Sequence, residues 1–381
     1  MQVAILGGGP SGLYLGYLLK RWSIAEKVDI FERDPAGATF GFGVSLADTA
    51  LRQLKQADEH SYDQLSEAMT WLSGQRIDHP DESTFIDIAS GSGAIGRVDL
   101  LRILGKLAAT AGVSISYETE IRNIESSFAE YDLVVGADGA NSRMREEFSR
   151  EFGAKLSYLS NRFAWYGVDL PYDTSALTFI RRPEGVFVGH YYRYTDTMST
   201  FVAECDGETW ERTGFGKLSD EGRRDSMNAF FREQLSGRKL IDNKSVWRRF
   251  QVVANDRWVF DKYALIGDAL YTAHYSIGSG TRLAMEDSLA LARALQRNPN
   301  ALSAALTAYE RERKPLKRKL MAAAEKSYIW YEKMASKLEL PAVEFVHDFM
   351  LRTERISDER LRTVAPRFMA TYDEHRQRTA R

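Results

Sequence analysis

The chain opens on a strand-like run, Gln2-Val-Ala-Ile-Leu6, then Gly7-Gly-Gly-Pro-Ser-Gly12, an apolar helix-forming stretch and a second strand-like run, Val28-Asp-Ile-Phe-Glu32. Strand, glycine turn, helix, strand and acid in this order confine the opening to a βαβ unit that holds a dinucleotide. Gly7, Gly9 and Gly12 carry the G-x-G-x-x-G spacing. Gly7 permits the tight turn, Gly9 lets backbone approach a pyrophosphate, and Gly12 lets helix and strand pack closely. Pro10 and Ser11 open the helix, whose free N–H groups and dipole favour phosphate. Glu32 falls 20 residues after Gly12, where a carboxylate accepts both hydroxyls of an unphosphorylated ribose, as in FAD or NAD, and Arg33 beside it joins the expected cofactor set.

With 381 residues, 44% hydrophobic and 27% charged, the chain has the composition of a soluble globular protein with more than one domain. A net charge of −2 without a dense basic motif argues against nucleic-acid binding. The lone Cys205 excludes an intramolecular disulfide framework, a CxxC redox pair and a cysteine zinc site, and points to a reducing cytoplasm. It sits in an alternating run that reads as a buried strand. The apolar N-terminus lacks the basic start of a signal peptide, and no run reaches the roughly 18 apolar residues of a membrane span. No membrane partner and no metal are expected.

Leu46–Ala57 and Tyr62–Leu72 read as short helices and Val98–Ala111 as a longer one. Val113–Tyr117 and Tyr131–Val135 read as strands. From about Arg162 to Val253 aromatic and β-branched runs bounded by turn formers predict an antiparallel sheet, broken by a polar helix from Asp220 to Gln234. The nucleotide fold resumes at Tyr263. After Thr281 the chain reads as helical, with a loosely held charged tail. The expected fold class is therefore α/β: a discontinuous Rossmann-like FAD-binding domain (1–72, 95–160 and 255–300), an inserted, mostly antiparallel β-sheet substrate domain (73–94 and 161–254), and a C-terminal helical region (301–381).

Two further motifs narrow the nucleotide. In Asp132-Leu-Val-Val-Gly-Ala-Asp138-Gly-Ala-Asn-Ser-Arg, a buried strand ends in a Gly-Asp-Gly turn. In Ala264-Leu-Ile-Gly-Asp268, a strand ends in an acid that can bind ribityl hydroxyls. A turn follows over Gly278, Ser279, Gly280 and Thr281, whose amides can face a flavin ring and polarise its pyrimidine edge.

With three separated motifs in this order, the chain resembles the group A flavoprotein monooxygenases, the para-hydroxybenzoate hydroxylase-like enzymes, over roughly residues 1 to 300. The segment Ala273-His-Tyr-Ser-Ile-Gly-Ser-Gly-Thr-Arg-Leu-Ala-Met-Glu-Asp is similar to the branch containing salicylyl-CoA 5-hydroxylase, the monooxygenase half of 2-aminobenzoyl-CoA monooxygenase/reductase, and the tryptophan-derived-pigment hydroxylase of violacein synthesis. Thr39-Phe-Gly-Phe-Gly-Val-Ser, Tyr194-Thr-Asp-Thr-Met-Ser-Thr-Phe and Leu351-Arg-Thr-Glu-Arg-Ile-Ser-Asp-Glu-Arg carry the same likeness. The resemblance implies FAD as cofactor, NADH or NADPH as reducing co-substrate, O₂, and hydroxylation of an aromatic ring through a flavin hydroperoxide. It also places Arg97 near FAD. The substrate it implies is an aryl-CoA thioester hydroxylated at ring position 5, with an indole or a free aromatic acid as the alternative.

Such chemistry needs water kept out, which an aromatic sheet over the flavin would do. Trp165, Tyr166, Tyr191, Tyr192, Tyr194 and Tyr275 are the candidates to line a substrate pocket, and His274 is the candidate catalytic side chain. Arg181-Arg182, Arg193 and Lys244 to Arg249 could meet CoA phosphates. No Trp-x-Trp-x-Ile-Pro motif of a flavin halogenase is present. A non-catalytic nucleotide-fold protein remains the alternative of a different class, and both monomer and homodimer are open.

Overall fold

The computed structural model describes residues 1–39, 41–87, 92–278 and 280–380. Among these residues the strands form three sheets. The first runs in the order β15 (Val259–Phe260), β16 (Tyr263–Leu265), β9 (Leu133–Gly136), β1 (Gln2–Leu6), β2 (Lys27–Phe31) and β8 (Ser114–Ser116), parallel except for the edge hairpin β15–β16. Val3, Ala4, Ile5 and Leu133 to Val135 are buried on both faces, so these strands read as unbroken apolar runs. The Pro10–Arg21 helix packs on this sheet with the Arg97–Thr110 and Gly280–Arg297 helices beside it.

The second sheet carries β14 (Arg248–Asn255), β10 (Ala154–Val168), β13 (Ser199–Cys205), β12 (Gly185–Arg193), β11 (Ser175–Arg182), β5 (Gln75–Asp78) and β6 (Ser83–Ile86) in that order. Only the β11–β5 pairing is parallel. Alternation along the strands gives this sheet two different faces. Tyr166, Phe187, Tyr191, Phe201, Ala203 and Cys205 pack outward under the Gly207–Thr213 and Asp220–Phe230 helices. Ile77, Leu177, Phe179, Val186 and Val188 face the other way and meet Trp330, Tyr331, Phe345 and Phe349 of the C-terminal helices. The tail is held: Phe368 and Met369 of the last helix, Pro366–Thr379, are buried in that same cluster.

The third sheet, β3 (Gly43–Ala47), β7 (Ser92–Gly96) and β4 (Thr70–Leu72), was not legible in the sequence. It corrects two helical expectations, because residues 46–47 and 70–72 are strand and the helices are Asp48–Ala57 and Glu59–Glu67. Val44 and Leu46 are buried with Ser45 between them less so, and Gly43–Ala47 pairs antiparallel with Ser92–Gly96. The polar helix stops at Phe230, four residues before its expected end. The expected boundary after residue 72 coincides with the end of β4, whereas the one after residue 160 falls inside β10.

Candidate active site

The C-terminal ends of β1, β2, β9 and β16 open into a cavity of about 950 Å³, at the edge where parallel α/β sheets bind ligands. Gly7, Gly9, Pro10 and Ser11 of the glycine motif line it, and Gly12 lies behind them, outside the lining. Gly7 takes φ +101°, and a Cβ there would meet the Ala137 carbonyl oxygen at 2.4 Å, so β1 and β9 turn against each other at this point. A Cβ on Gly12 would sit 2.0 Å from the Gly7 carbonyl oxygen. Gly9 is different: among the described residues nothing lies within 4 Å of the place its Cβ would occupy. Gly9 therefore leaves space for a ligand, whereas Gly7 and Gly12 serve the chain's own contacts.

Glu32 caps β2 at the cavity rim, its carboxylate accepting from Gly8 N–H at 2.6 Å and Asp34 N–H at 2.9 Å. Arg33 lies exposed beside it. Asp138 accepts from Arg143 N–H at 2.6 Å, which starts the Arg143–Glu147 helix, and burial raises its carboxyl above the usual range. Arg97 opens its own helix, and its Nε donates to Thr39 Oγ1 at 2.9 Å. It faces the cavity with Asp268 nearby, and enclosure lowers its pKa while Asp268 opposes that shift. The Asp268 side chain is open only toward the cavity. Enclosure raises its carboxyl, and Lys317 and Arg97 pull it back down.

The Asp268 loop is fixed from beneath. Asp287 accepts from Gly267 N–H at 3.2 Å and from Arg313 at 2.9 Å, and it pairs with the fully buried Lys317. Arg313 also meets Glu286 at 2.8 Å. Sequence reasoning missed this network because its members are spread over two helices that read as ordinary amphipathic surface. Ser11 Oγ lies against Gly267, and Pro10 and Ser11 line the cavity. Gly278, Gly280 and Thr281 line its far end, and Ser279 lies outside the described residues.

An FAD fits this arrangement: an open glycine cradle at Gly9, an acid at the end of β2, a second acid facing inward at Asp268, and one continuous cavity joining them. Trp165 adds an indole Nε1 that is buried with no hydrogen-bond partner among the described residues.

A second, inner chamber of about 200 Å³ adjoins the first, and Ser45, His190, Tyr192, Val202, Tyr275 and Gly278 line both. Its floor is the inward face of the second sheet, and its roof is Tyr331, Phe349 and Arg352 from the C-terminal region. Tyr192 donates to the Gly43 carbonyl at 2.9 Å, and Thr200 Oγ1 accepts from Gly43 N–H at 2.7 Å, which pins Gly43 to the sheet. Glu204 is buried and accepts from Asn161 Nδ2 at 2.7 Å. Loss of hydration pushes its carboxyl up to about 7. His190 is held neutral, down to about 4, by burial and by the charge of Arg352.

The expected aromatic lining divides by strand parity. Trp165, Tyr192 and Tyr275 line the cavities. Tyr166 and Tyr191, one residue out of step, lie on the opposite face; Tyr166 accepts from Trp247 Nε1 at 2.9 Å and Tyr191 accepts from Arg76 at 2.8 Å. Tyr194 lines neither cavity and packs on Gly43 and Gly96. His274 also lines neither. It is buried among Phe250, Tyr275 and Tyr328, its Nδ1 is 2.8 Å from Ser276 Oγ, and burial lowers it to about 3. A neutral, enclosed imidazole there holds the Ser276 turn. Of the basic runs, Arg248 and Arg249 reach the large cavity, whereas Arg181 is held by Leu338 and Glu339 and Arg182 by Phe230. Glu204 and Arg352 were missed, although a glutamate inside the apolar run Phe201-Val-Ala-Glu-Cys205 was a signal.

Residues 1–324 match the FAD binding domain family. The chain belongs to this family. This flavoprotein is an FAD-dependent aromatic monooxygenase, with curated relatives that share its sequence along most of its length. It is 36% identical to salicyloyl-CoA 5-hydroxylase of a Streptomyces species over 87% of its own length, and spans 65% of the length of that relative. It is 29% identical to protodeoxyviolaceinate monooxygenase of Chromobacterium violaceum, with 93% of this chain and 95% of that protein covered. It is 30% identical to 3-hydroxy-4-methyl-anthranilyl-[aryl-carrier protein] 5-monooxygenase of Streptosporangium sibiricum, at 94% and 95% coverage. The flavoprotein's fold matches that of 2-methyl-3-hydroxypyridine-5-carboxylic acid oxygenase with a TM-score of 0.70 at 18% identity, covering 95% of each chain. Among the described residues no helix is long and apolar enough to cross a membrane.

Proposed function

We propose that the protein is a single-component hydroxylase that uses NADH or NADPH and O₂ to hydroxylate a single-ring aryl-CoA thioester, of the 2-hydroxybenzoyl or 2-aminobenzoyl type, at ring position 5. The observation that carries this reading is the inner chamber. At about 200 Å³ it lies below the roughly 300 Å³ at which drug-sized sites begin, so it suits one substituted ring and not a linked pair of indoles. The 36% identity to salicyloyl-CoA 5-hydroxylase supports the thioester class.

Bound FAD would supply the redox chemistry, taking electrons from the nicotinamide and activating O₂. The chain's own residues do the rest. Gly9, Pro10, Ser11, Glu32 and Arg33 would hold the ADP part, on a turn whose close self-contacts Gly7 and Gly12 permit. Asp138, Arg97 and Asp268 would hold the middle, with Gly278, Gly280 and Thr281 at the ring end. The N-terminus of the Gly280–Arg297 helix turns its positive end to the cavity, which favours negative charge there. Val188, Val202, Leu177, Tyr331 and Phe349 wall the inner chamber with apolar surface and exclude water from the reacting ring. Arg248 and Arg249, at the edge of the larger cavity, are placed to meet the charged part of a thioester. His190, neutral and facing both cavities, can hold a hydrogen bond to a ring substituent.

The test follows NAD(P)H oxidation by FAD-loaded protein with salicylyl-CoA, 2-aminobenzoyl-CoA, the free acids and tryptophan, quantifying H₂O₂ and hydroxylated product together. Hydroxylated CoA product with little H₂O₂ is expected. Product from free acids or indoles alone would overturn the thioester class.

A further inference from the structure

The inner chamber holds a cation that forms no ion pair among the described residues. Arg352 caps the Ala342–Leu351 helix, inside the Leu351-Arg-Thr-Glu-Arg segment, and its guanidinium turns into the chamber roof. Nε donates to Ser327 Oγ at 3.0 Å, one terminal nitrogen to the Phe349 carbonyl at 2.8 Å, and the other to the Ser276 carbonyl at 2.9 Å. The plane lies 3.7 Å over the Phe349 ring. These bonds occupy three of the five N–H donors that a guanidinium carries. Among the described residues no carboxylate lies within 4.0 Å of it. Arg313, buried elsewhere in the same region, is by contrast paired to both Asp287 and Glu286.

Holding a cation away from bulk water without a counter-ion is costly, and a fixed guanidinium with free donors facing an apolar-walled chamber is a receptor for an oxyanion. Glu204 lines the same chamber but forms no ion pair with Arg352, and its burial favours the neutral acid. We propose that Arg352 is a specificity-determining residue that binds an anionic oxygen carried by the substrate ring, an ionised ring hydroxyl or a carboxylate. The inference rests on the aromatic hydroxylase reading above and names the chemistry its aryl site selects. The same side chain holds Ser276, whose Oγ is 2.8 Å from both Ser327 Oγ and His274 Nδ1. Ser276 belongs to the turn that ends at Gly278 beside the larger cavity, so an oxyanion on Arg352 is seated against the turn that borders both cavities.

The test is equilibrium binding to the FAD-loaded full chain, read by perturbation of flavin absorbance, of 2-hydroxybenzoyl-CoA, benzoyl-CoA, benzoate and benzyl alcohol. The wild type should prefer the first over the second, or the third over the fourth. Arg352→Gln should weaken the preferred ligand on the order of 10- to 100-fold and its neutral counterpart by less than about 3-fold, with Arg352→Lys in between. Equal weakening of charged and neutral ligands would show that Arg352 only holds the turn, and would overturn the proposal. Should Arg352→Gln fail to fold, the wild type decides: no preference within either pair overturns it. Arg352-dependent benzoate binding with no thioester binding would keep the oxyanion site and discard the aryl-CoA class. Thioester hydroxylation with unchanged affinity in Arg352→Gln would do the reverse.

Discussion

The cofactor half and the substrate half of this molecule are built on opposite logics. Around the large cavity the work is done by backbone turns: Gly7 and Gly9 in the lining with Gly12 packed behind them, strand ends at Glu32, Asp138 and Asp268, and helix N-termini. Around the inner chamber it is done by side chains from β12, β13, the Tyr275 turn and the C-terminal helices, which are far apart in sequence. Backbone sites need particular residues at fixed spacings and leave a readable motif. Side-chain sites need only a tertiary meeting, and any single member looks like an ordinary core residue.

The largest expected effect separates two glycines of one motif. Gly12→Ala places a methyl group 2.0 Å from a carbonyl oxygen of the same turn and should cost about 3 kcal/mol or more, with flavin lost and the thermal melt lowered. Gly9→Ala has free space and an unstrained φ of −76°, so apo-protein stability should stay within about 0.5 kcal/mol while FAD affinity falls at least about tenfold. If both variants lose stability alike, the distinction between self-contact and cofactor contact is wrong.

Glu204 gives the next effect, on the substrate side. Its carboxyl is faced by Asn161 on β10, Tyr275 in the turn, Tyr331 and Glu332 on the Leu302–Glu332 helix, and Asp206, with His190 and Arg352 in the same chamber. A folded pKa of about 7 lies above the unfolded value of 4.5, so the folded state holds this proton more tightly. Its stability contribution is complete below about pH 4.5 and is lost as pH rises through 7, a penalty of about 3 kcal/mol at pH 8. Glu204→Gln should therefore raise the melting temperature at pH 8 and leave it nearly unchanged at pH 4.5. A pH-independent shift would mean that Glu204 is ionised throughout.

The smallest effect tests strand parity on neighbouring residues. Tyr191→Phe removes bonds to Arg76 and Thr178 on the outer face and should cost about 1 kcal/mol of stability with KM unchanged. Tyr192→Phe leaves the Gly43 carbonyl beside the cavities held by Thr200 Oγ1 alone and should raise KM severalfold. Steady-state kinetics and thermal melts on the pair would expose any reversal.

Legibility followed the same division. The three glycine-acid motifs, the inserted sheet and the helical C-terminus could all be read because spacing and periodicity are local. The β3–β7–β4 sheet could not, since its strands are short and pair across intervening helices. Composition alone does not separate Tyr166 and Tyr191 from Trp165 and Tyr192; parity decides which aromatic faces a cavity, and parity needs the strand register. Trp165 and Tyr275 do reach the cavities, while His274, conspicuous in its motif, is walled in by Phe250, Tyr328 and Tyr331.

The two-faced second sheet also has a meaning for how such a protein can change. Positions 188, 190, 192, 202 and 204 point to the chamber, while 187, 191, 201, 203 and 205 anchor the outer layer. Within the first set Tyr192 holds Gly43, Glu204 holds Asn161 and Val188 belongs to the core beneath the C-terminal helices, so a combinatorial library confined to 190 and 202 explores new ring substituents with those contacts kept. Substrate choice in this chain is thus free to drift one residue at a time, on alternate positions of two adjacent strands, while the fold stays put.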